Sequence, residues 1–357
     1  MTREELTQLD ASGQPARPDL TPSDASGPTA RPDLTPSDAS GPTARPDLTP
    51  SDASGRARPG SGADNDRWFR PFGTLHDGEY RVAVAPTATN PPEGWQHTTL
   101  RLAHLDPGGS VEHDTADEEL VVVPLAGSCV VEVSGSDPIT LDGRASVFDG
   151  PSDTAYVPRQ RRITVRNNGT QPARIALCGA NARTDRKPRR IPADAVPPEQ
   201  RGGGTATREV RGFGMPPVLD ADAILVCEVI TPAGNWSSWP PHKHDEDIPG
   251  VESELEEIYY FETRSTDPRG TDPVGYHRVS GTPERPIDVL AEVRAGDVVL
   301  VPHGWHGPSI AAPDADLYYL NVMAGPGENR EWLIRDDPAH AWVRETWQQT
   351  PTREEER

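Results

Sequence analysis

Cysteine, large aromatics, basic residues and long apolar runs are all scarce in this chain, and each shortage excludes something. Three cysteines stand among 357 residues. Cys129, Cys178 and Cys227 are odd in number, widely spaced and set in apolar runs. That pattern excludes a disulfide or zinc framework and reads as reduced core thiols of a cytoplasmic protein. No stretch approaches the roughly 20 apolar residues that a membrane span needs, and the opening MTREELTQLD lacks the basic-then-apolar pattern of a secretory signal. Thirty-five Lys and Arg face 56 Asp and Glu, a formal net charge of -21. So acidic a surface repels nucleic acid and anionic lipid, and neither partner is expected. An anionic substrate would need a local positive feature, such as a metal ion or an arginine. Helical periodicity is missing except around HAWVRETW near the C-terminus, and no helix-turn-helix pattern is present.

Proline and glycine are plentiful, at 40 and 32 residues. Such numbers oppose an all-helical fold and suit many short strands joined by turns. The unit ARPDLTPSDASGPT begins at Ala16 and Ala30, and again at Ala44, where it degrades to GRARPG. Each copy offers one leucine (Leu20, Leu34, Leu48) among prolines, aspartates and small polar residues. A solenoid unit must bury apolar faces against its neighbours, and this one has none to bury. Residues 1–64 are therefore expected to be a disordered tail. From Trp68 the texture changes to β-branched and aromatic runs such as ELVVVPLAGSCVVEVSG, EIYYFET and DLYYLNVMAGP, with turn residues between them. An all-β fold is expected, of sandwich or barrel type. The polar stretch from Arg183 to Arg211 splits the rest into two domains, 65–190 and 191–350.

The chemistry concentrates in the second domain. His242 and His244 are two residues apart, so in extended backbone both imidazoles reach one point. A strand carrying Glu256 and Glu257 comes next, and GDVVLVPHGWH then sets His306 two residues after Gly304. Three imidazoles and one carboxylate suit one divalent ion: Fe, Mn, Zn, Ni or Co.

H-x-H, a glutamate before an aromatic strand, and G-x5-P-x-G-x-H (Gly296, Pro302, Gly304, His306) together resemble the two motifs of the cupin superfamily. The resemblance implies two cupin-type jelly-roll barrels, a bicupin. It names His242, His244, Glu256 and His306 as metal ligands, with Glu254 and Glu257 as alternatives because the acidic insert DEDIPGVES lengthens the motif. The runs GNWSSWPPHKHD, LEEIYYF, VVLVPHGWHGP, YYLNVMAGP and DPAHAWV resemble 5-deoxy-glucuronate isomerases of inositol catabolism, across roughly Val82 to Trp342. Departures occur at His277-Arg278-Val279-Ser280-Gly281, at Gly307 and in MAGPGENREW. In the first domain His113 is accompanied by Glu118 and Glu119, but the second-motif counterpart FDGPSDTAYVPRQRR has no histidine. That half is expected to be metal-free.

The resemblance implies a metal-dependent aldose–ketose isomerisation of 5-deoxy-glucuronate to 5-dehydro-2-deoxy-gluconate. Such a reaction needs an electrophile and a base. Candidates for the base are Glu257, Tyr259 and Tyr260, besides a hydroxide on the metal. Arg278 is the candidate grip for the substrate carboxylate, with pairing to an acidic neighbour as the alternative. Trp236, Trp239 and Trp305 are either pocket wall or plain core. Lys243 is expected to face outward into solvent, and Asn321 to serve the strand. The only partner expected is a small acidic sugar; a homo-oligomer is left open. Two other functions stay in view: a uronate ketol-isomerase of pectin breakdown, and a non-catalytic sugar-binding bicupin.

Overall fold

The computed structural model describes residues 62–88 and 91–347. The tail expected over residues 1–64 thus lies outside the described residues except for its last three. Strands dominate both halves of the described chain, as the proline content and β-branched runs require.

The first barrel is built between Tyr80 and Ile191. Its long strand Glu118–Val133 serves both walls. The early part pairs with Ala173–Asn181 and Thr154–Val157, the later part with Ile139–Arg144 and Arg162–Asn167. The change of sheet is made where the register shifts, between Pro124 and Ala126 and again between Gly127 and Cys129. Bulges of this kind bend a strand around a barrel corner. Gly127 sits there at φ +82°, and a Cβ on it would lie 2.8 Å from that of Ala173, so glycine alone fits.

Two facing sheets form the second barrel. One carries, in order, Val298–Val301, Glu256–Ser265, Ala315–Ala324, Leu225–Thr231 and Arg208–Gly214, flanked by short strands Phe69–Arg70 and Glu199–Arg201. The other carries Asp288–Val293, Gly275–Ser280, Trp305–Ala311, His242–Lys243 and Arg335–Asp336, with Trp236–Ser237 beside Trp305–Ala311. Residues 65–70, placed with the first domain by the sequence, pack on the second barrel together with Ala63 and Asp64. Phe69 and Arg70 pair with Val299 and Val298, and Asn65 exchanges hydrogen bonds of 2.8 and 2.9 Å with Leu290. They cover edges that would otherwise stay unpaired.

The barrels share one core, and all described residues fall in a single compact unit. Val121 and Val123 point into the shared cluster, whereas Leu120 and Val122 fill the first barrel. Burial on both faces explains why ELVVVPL is continuously apolar instead of alternating. Two carboxylates tie the halves reciprocally. Glu119 accepts the backbone N–H groups of residues 222–224, at 2.9, 2.6 and 2.8 Å. Glu256 accepts those of Gln96, His97 and Thr98, at 3.1, 2.6 and 2.6 Å. Each barrel thereby caps a strand start of the other. A buried ion pair, Arg144 bidentate on Glu228 at 2.8 and 2.7 Å, crosses the same interface.

Candidate metal centre

Four side chains converge between the two sheets of the second barrel. His242 and His306 are cross-strand partners, so their side chains leave the sheet on one face; His244, two residues on, returns to it. Imidazole centroids lie 4.5 Å apart for His242–His306 and 4.6 Å for His244–His306. From the opposite sheet Glu257 reaches inward, its Oε2 3.1 Å from His244 Nε2 and 3.2 Å from His306 Nε2. The three buried histidines each bring a ring nitrogen within 4.8 Å of the others. Local backbone makes this approach possible. Gly307, at φ +99°, would put a Cβ 2.0 Å from the Ser238 carbonyl oxygen, so the chain beside His306 tolerates only glycine.

Hydrogen bonding sets the rings for coordination. His244 Nδ1 lies 3.2 Å from the Leu255 carbonyl and His306 Nδ1 3.0 Å from that of Gly304. A carbonyl only accepts, so Nδ1 carries the proton in both rings and the Nε2 atoms turn inward as ligands. His242 Nε2, His306 Nε2 and Glu257 Oε1 have no hydrogen-bond partner among the described residues despite full burial. Unpartnered buried acceptors facing one another are costly. A divalent cation relieves that cost, and three imidazoles with one carboxylate fit Zn or a similar borderline ion. This cluster could hold a metal. Burial works to raise the pKa of Glu257, but the imidazoles of His244 and His306 beside it outweigh that and hold the carboxyl at about 2. Burial, then the neighbouring His306 and His244, push His242 well below its usual range. On His244 burial acts downward too, but its hydrogen bond with Glu257 raises the pKa, so a proton competes with metal there.

The model of the KduI/IolB family matches residues 69–343. The chain belongs to that family. A 5-deoxy-glucuronate isomerase of Geobacillus thermodenitrificans is 37% identical over 268 residues, 74% of this chain and 91% of that protein. One from Bacillus licheniformis is 36% identical over 251 residues, 70% of this chain and 88% of the relative. Among solved structures, an IolB-like protein from Salmonella typhimurium LT2 superposes with TM-score 0.68 at 30% identity, over 77% of this chain and 98% of its own. An oxalate decarboxylase of Lactobacillus farciminis shares the fold, with TM-score 0.51 at 12% identity over 80% of this chain and 96% of its own. This member of the family is thus an isomerase with the bicupin fold.

Within that fold the residues expected at the site part company. His242, His244 and His306 meet, but Glu256 does not join them. Its carboxylate faces the first barrel at residues 96–98, and strand alternation puts Glu257 at the cluster instead. Glu254, the other alternative, is exposed on the strand Glu252–Glu254. Tyr259 shares the inward face, its ring 6.1 Å from His306; burial raises its pKa well above the usual value. Tyr260 points the opposite way and donates to Glu262 Oε1 at 2.9 Å, which corrects its placement among catalytic candidates. Arg278 faces away from the interior and pairs with Asp288, so the acidic-neighbour alternative is the one adopted. Trp236 is 39% exposed, and its strand neighbour Ser237 takes the inward position. Trp305 alternates with His306 and turns outward, with Lys243 Nζ 5.7 Å above its ring. Lys243 also faces away from the imidazoles, but is buried, not solvated: its ammonium is clasped by Asp245, by Glu246 at 2.9 Å and by Glu252 at 2.7 Å.

Sequence reasoning missed His277. It is fully buried, its ring centroid is 4.5 Å from that of Tyr259, its Nδ1 is 2.8 Å from Ser309 Oγ, and its Nε2 has no partner among the described residues. Burial drops its pKa to about 3. The period-two pattern of Gly275–Ser280 carries the signal, because apolar Val279 inside implies His277 inside and Arg278 outside. Asn321 joins them as a buried side chain whose Nδ2 lacks a partner among the described residues. In the first barrel Arg101 grips Glu118 with two hydrogen bonds of 2.8 and 3.1 Å. His113 Nε2 stands 3.9 Å from the same carboxylate.

Proposed function

We propose that this isomerase converts 5-deoxy-glucuronate to 5-dehydro-2-deoxy-gluconate, an aldose–ketose isomerisation of myo-inositol catabolism, in the cytoplasm and with one divalent metal held by His242, His244, Glu257 and His306. The observation that carries the metal is the convergence of three imidazoles and Glu257 with acceptors left unpartnered. The substrate follows from the relatives, which bear the name 5-deoxy-glucuronate isomerase.

The reaction moves the hydrogen on C2 to C1 while the C2 hydroxyl becomes a carbonyl and the aldehyde a hydroxyl. A divalent ion, when bound, supplies a Lewis acid for the developing enediolate. Glu257 stays ionised above its pKa of about 2 and is a ligand first, a weak base second. Tyr259, protonated at neutral pH, serves as a hydrogen-bond donor inside the barrel. His277 stays neutral and offers Nε2 to the same space. All of these groups are buried, which strengthens each of these contacts.

The test is an isomerase assay on 5-deoxy-glucuronate with chelated and metal-restored protein, run in parallel on the pectin-derived uronate. Turnover of 5-deoxy-glucuronate, lost on chelation and restored by one equivalent of metal, is the expected result. Turnover of the pectin-derived sugar alone would move the chain to the other ketol-isomerase reading, and metal binding without turnover of either would leave a binding protein.

A further inference from the structure

Displacing Arg278 from the interior leaves an acidic sugar without a cationic partner. Nearly every guanidinium around the second barrel is already committed. Arg278 pairs with Asp288, Arg285 with Asp245, Arg335 with Glu246 and Glu252, and Arg201 with Glu199. Arg330 spends its donors on three backbone carbonyls. Arg208 differs. Its one hydrogen bond among the described residues is 3.3 Å long, from Nη1 to the Ala206 carbonyl, and no carboxylate among them pairs with it. In a chain of net charge -21, an arginine without an acid is conspicuous.

Its position points to the reaction chamber. Val210 pairs with Val229, Val229 with Tyr319, and Tyr319 with Phe261, all on the inward face of their sheet. Arg208, two residues before Val210, leaves its strand on that face. The strand start is tied across to the opposite sheet, where Asn235 Nδ2 donates to the Thr207 carbonyl at 2.7 Å just before Trp236–Ser237. The guanidinium lies 5.6 Å from the Trp347 ring, whose other neighbour Arg344, 5.2 Å away, is ion-paired with Asp336. Asp336 is the register partner of His242. Arg208 therefore occupies the rim on the His242 side.

We propose that Arg208, and not Arg278, binds the carboxylate of the acidic sugar at the mouth of the second barrel, an inference that rests on the uronate substrate proposed above. A guanidinium held against an indole keeps its planar fork oriented, so a carboxylate can dock with two parallel hydrogen bonds. The opposite end of the sugar, with its aldehyde, is then directed inward to the histidines.

The test compares parent, Arg208→Gln and Arg208→Lys, each metal-loaded, for binding of glucuronate and of glucose by calorimetry, with thermal unfolding and metal content as controls. Glucuronate should bind the parent. It should bind Arg208→Gln at least tenfold more weakly and Arg208→Lys at an intermediate level, with metal content unchanged. Glucose binding, where measurable, should not change. Equal glucuronate affinity in parent and Arg208→Gln, no binding to the parent, or an equal loss for glucose would overturn the proposal. Should the parent bind glucuronate through Arg208 yet fail to turn over 5-deoxy-glucuronate, the isomerase reading fails and the carboxylate site stands.

Discussion

Adjacent glutamates on one strand have opposite fates, because successive side chains leave a strand on opposite faces. Glu257 meets two imidazoles; Glu256 meets three backbone N–H groups of the other barrel. Their amide variants should therefore separate cleanly. Glu257→Gln replaces an anionic ligand with a neutral one and should lose most bound metal and at least a hundredfold in turnover, with little loss of melting temperature in the metal-free form. Glu256→Gln should keep its metal and lose stability of about 1–3 kcal/mol, the range for disturbing a buried hydrogen-bonded carboxylate. Metal analysis and denaturant unfolding of the two proteins decide the matter, and metal loss in Glu256→Gln would reverse the assignment.

The strand Trp305–Ala311 and the turn before it act as a unit. Asp245 accepts the Gly304 N–H at 2.9 Å, and Asp245 is itself held by buried Lys243, the residue between the two histidines of the H-x-H pair. An ion cluster on the outer face thus fixes the backbone that aims His242, His244 and His306 on the inner face. Gly307 closes the arrangement from the other side, against Ser238. Gly307→Ala should force these two segments apart, lowering metal affinity at least tenfold and stability by more than about 1 kcal/mol, since the left-handed backbone disfavours alanine as well. Calorimetric titration of the variant with Zn would show it; unchanged affinity would mean that the strand yields without moving His306.

Taken whole, the molecule buries titratable groups whose pKa values differ between folded and unfolded chain, so acid should unfold the metal-free protein. His277 titrates at about 3 when folded against a usual 6.5, hence its neutral form contributes stability above pH 6.5 that is lost as pH falls toward 3. Glu257 and Glu118 titrate at about 2 against a usual 4.5, so their contribution is complete above pH 4.5 and lost as pH falls through 2. His244, whose pKa is raised, works in the opposite direction, but buried His242 works with His277. Melting temperature of the metal-free protein should fall by several degrees between pH 6.5 and 4.5 and more steeply below. A value that stays level or rises over that first interval would contradict this balance of groups.

Local pattern alone determined much of this protein. Proline and glycine punctuation with β-branched runs dictated short strands, and H-x-H spacing with GDVVLVPHGWH brought out the three histidines, because side-chain parity along a strand is a local property. Parity also contained the answers for His277 over Arg278 and for Ser237 over Trp236, once one inward residue of each strand was known. Which of Glu256 and Glu257 faces the histidines, where Arg208 lies, and why residues 63–70 join the second barrel were decided only by tertiary structure. Those outcomes depend on which strand lies opposite and which barrel supplies a partner. The contacts of Glu256, of Arg208 and of residues 63–70 join residues more than a hundred positions apart, and no local pattern encodes them.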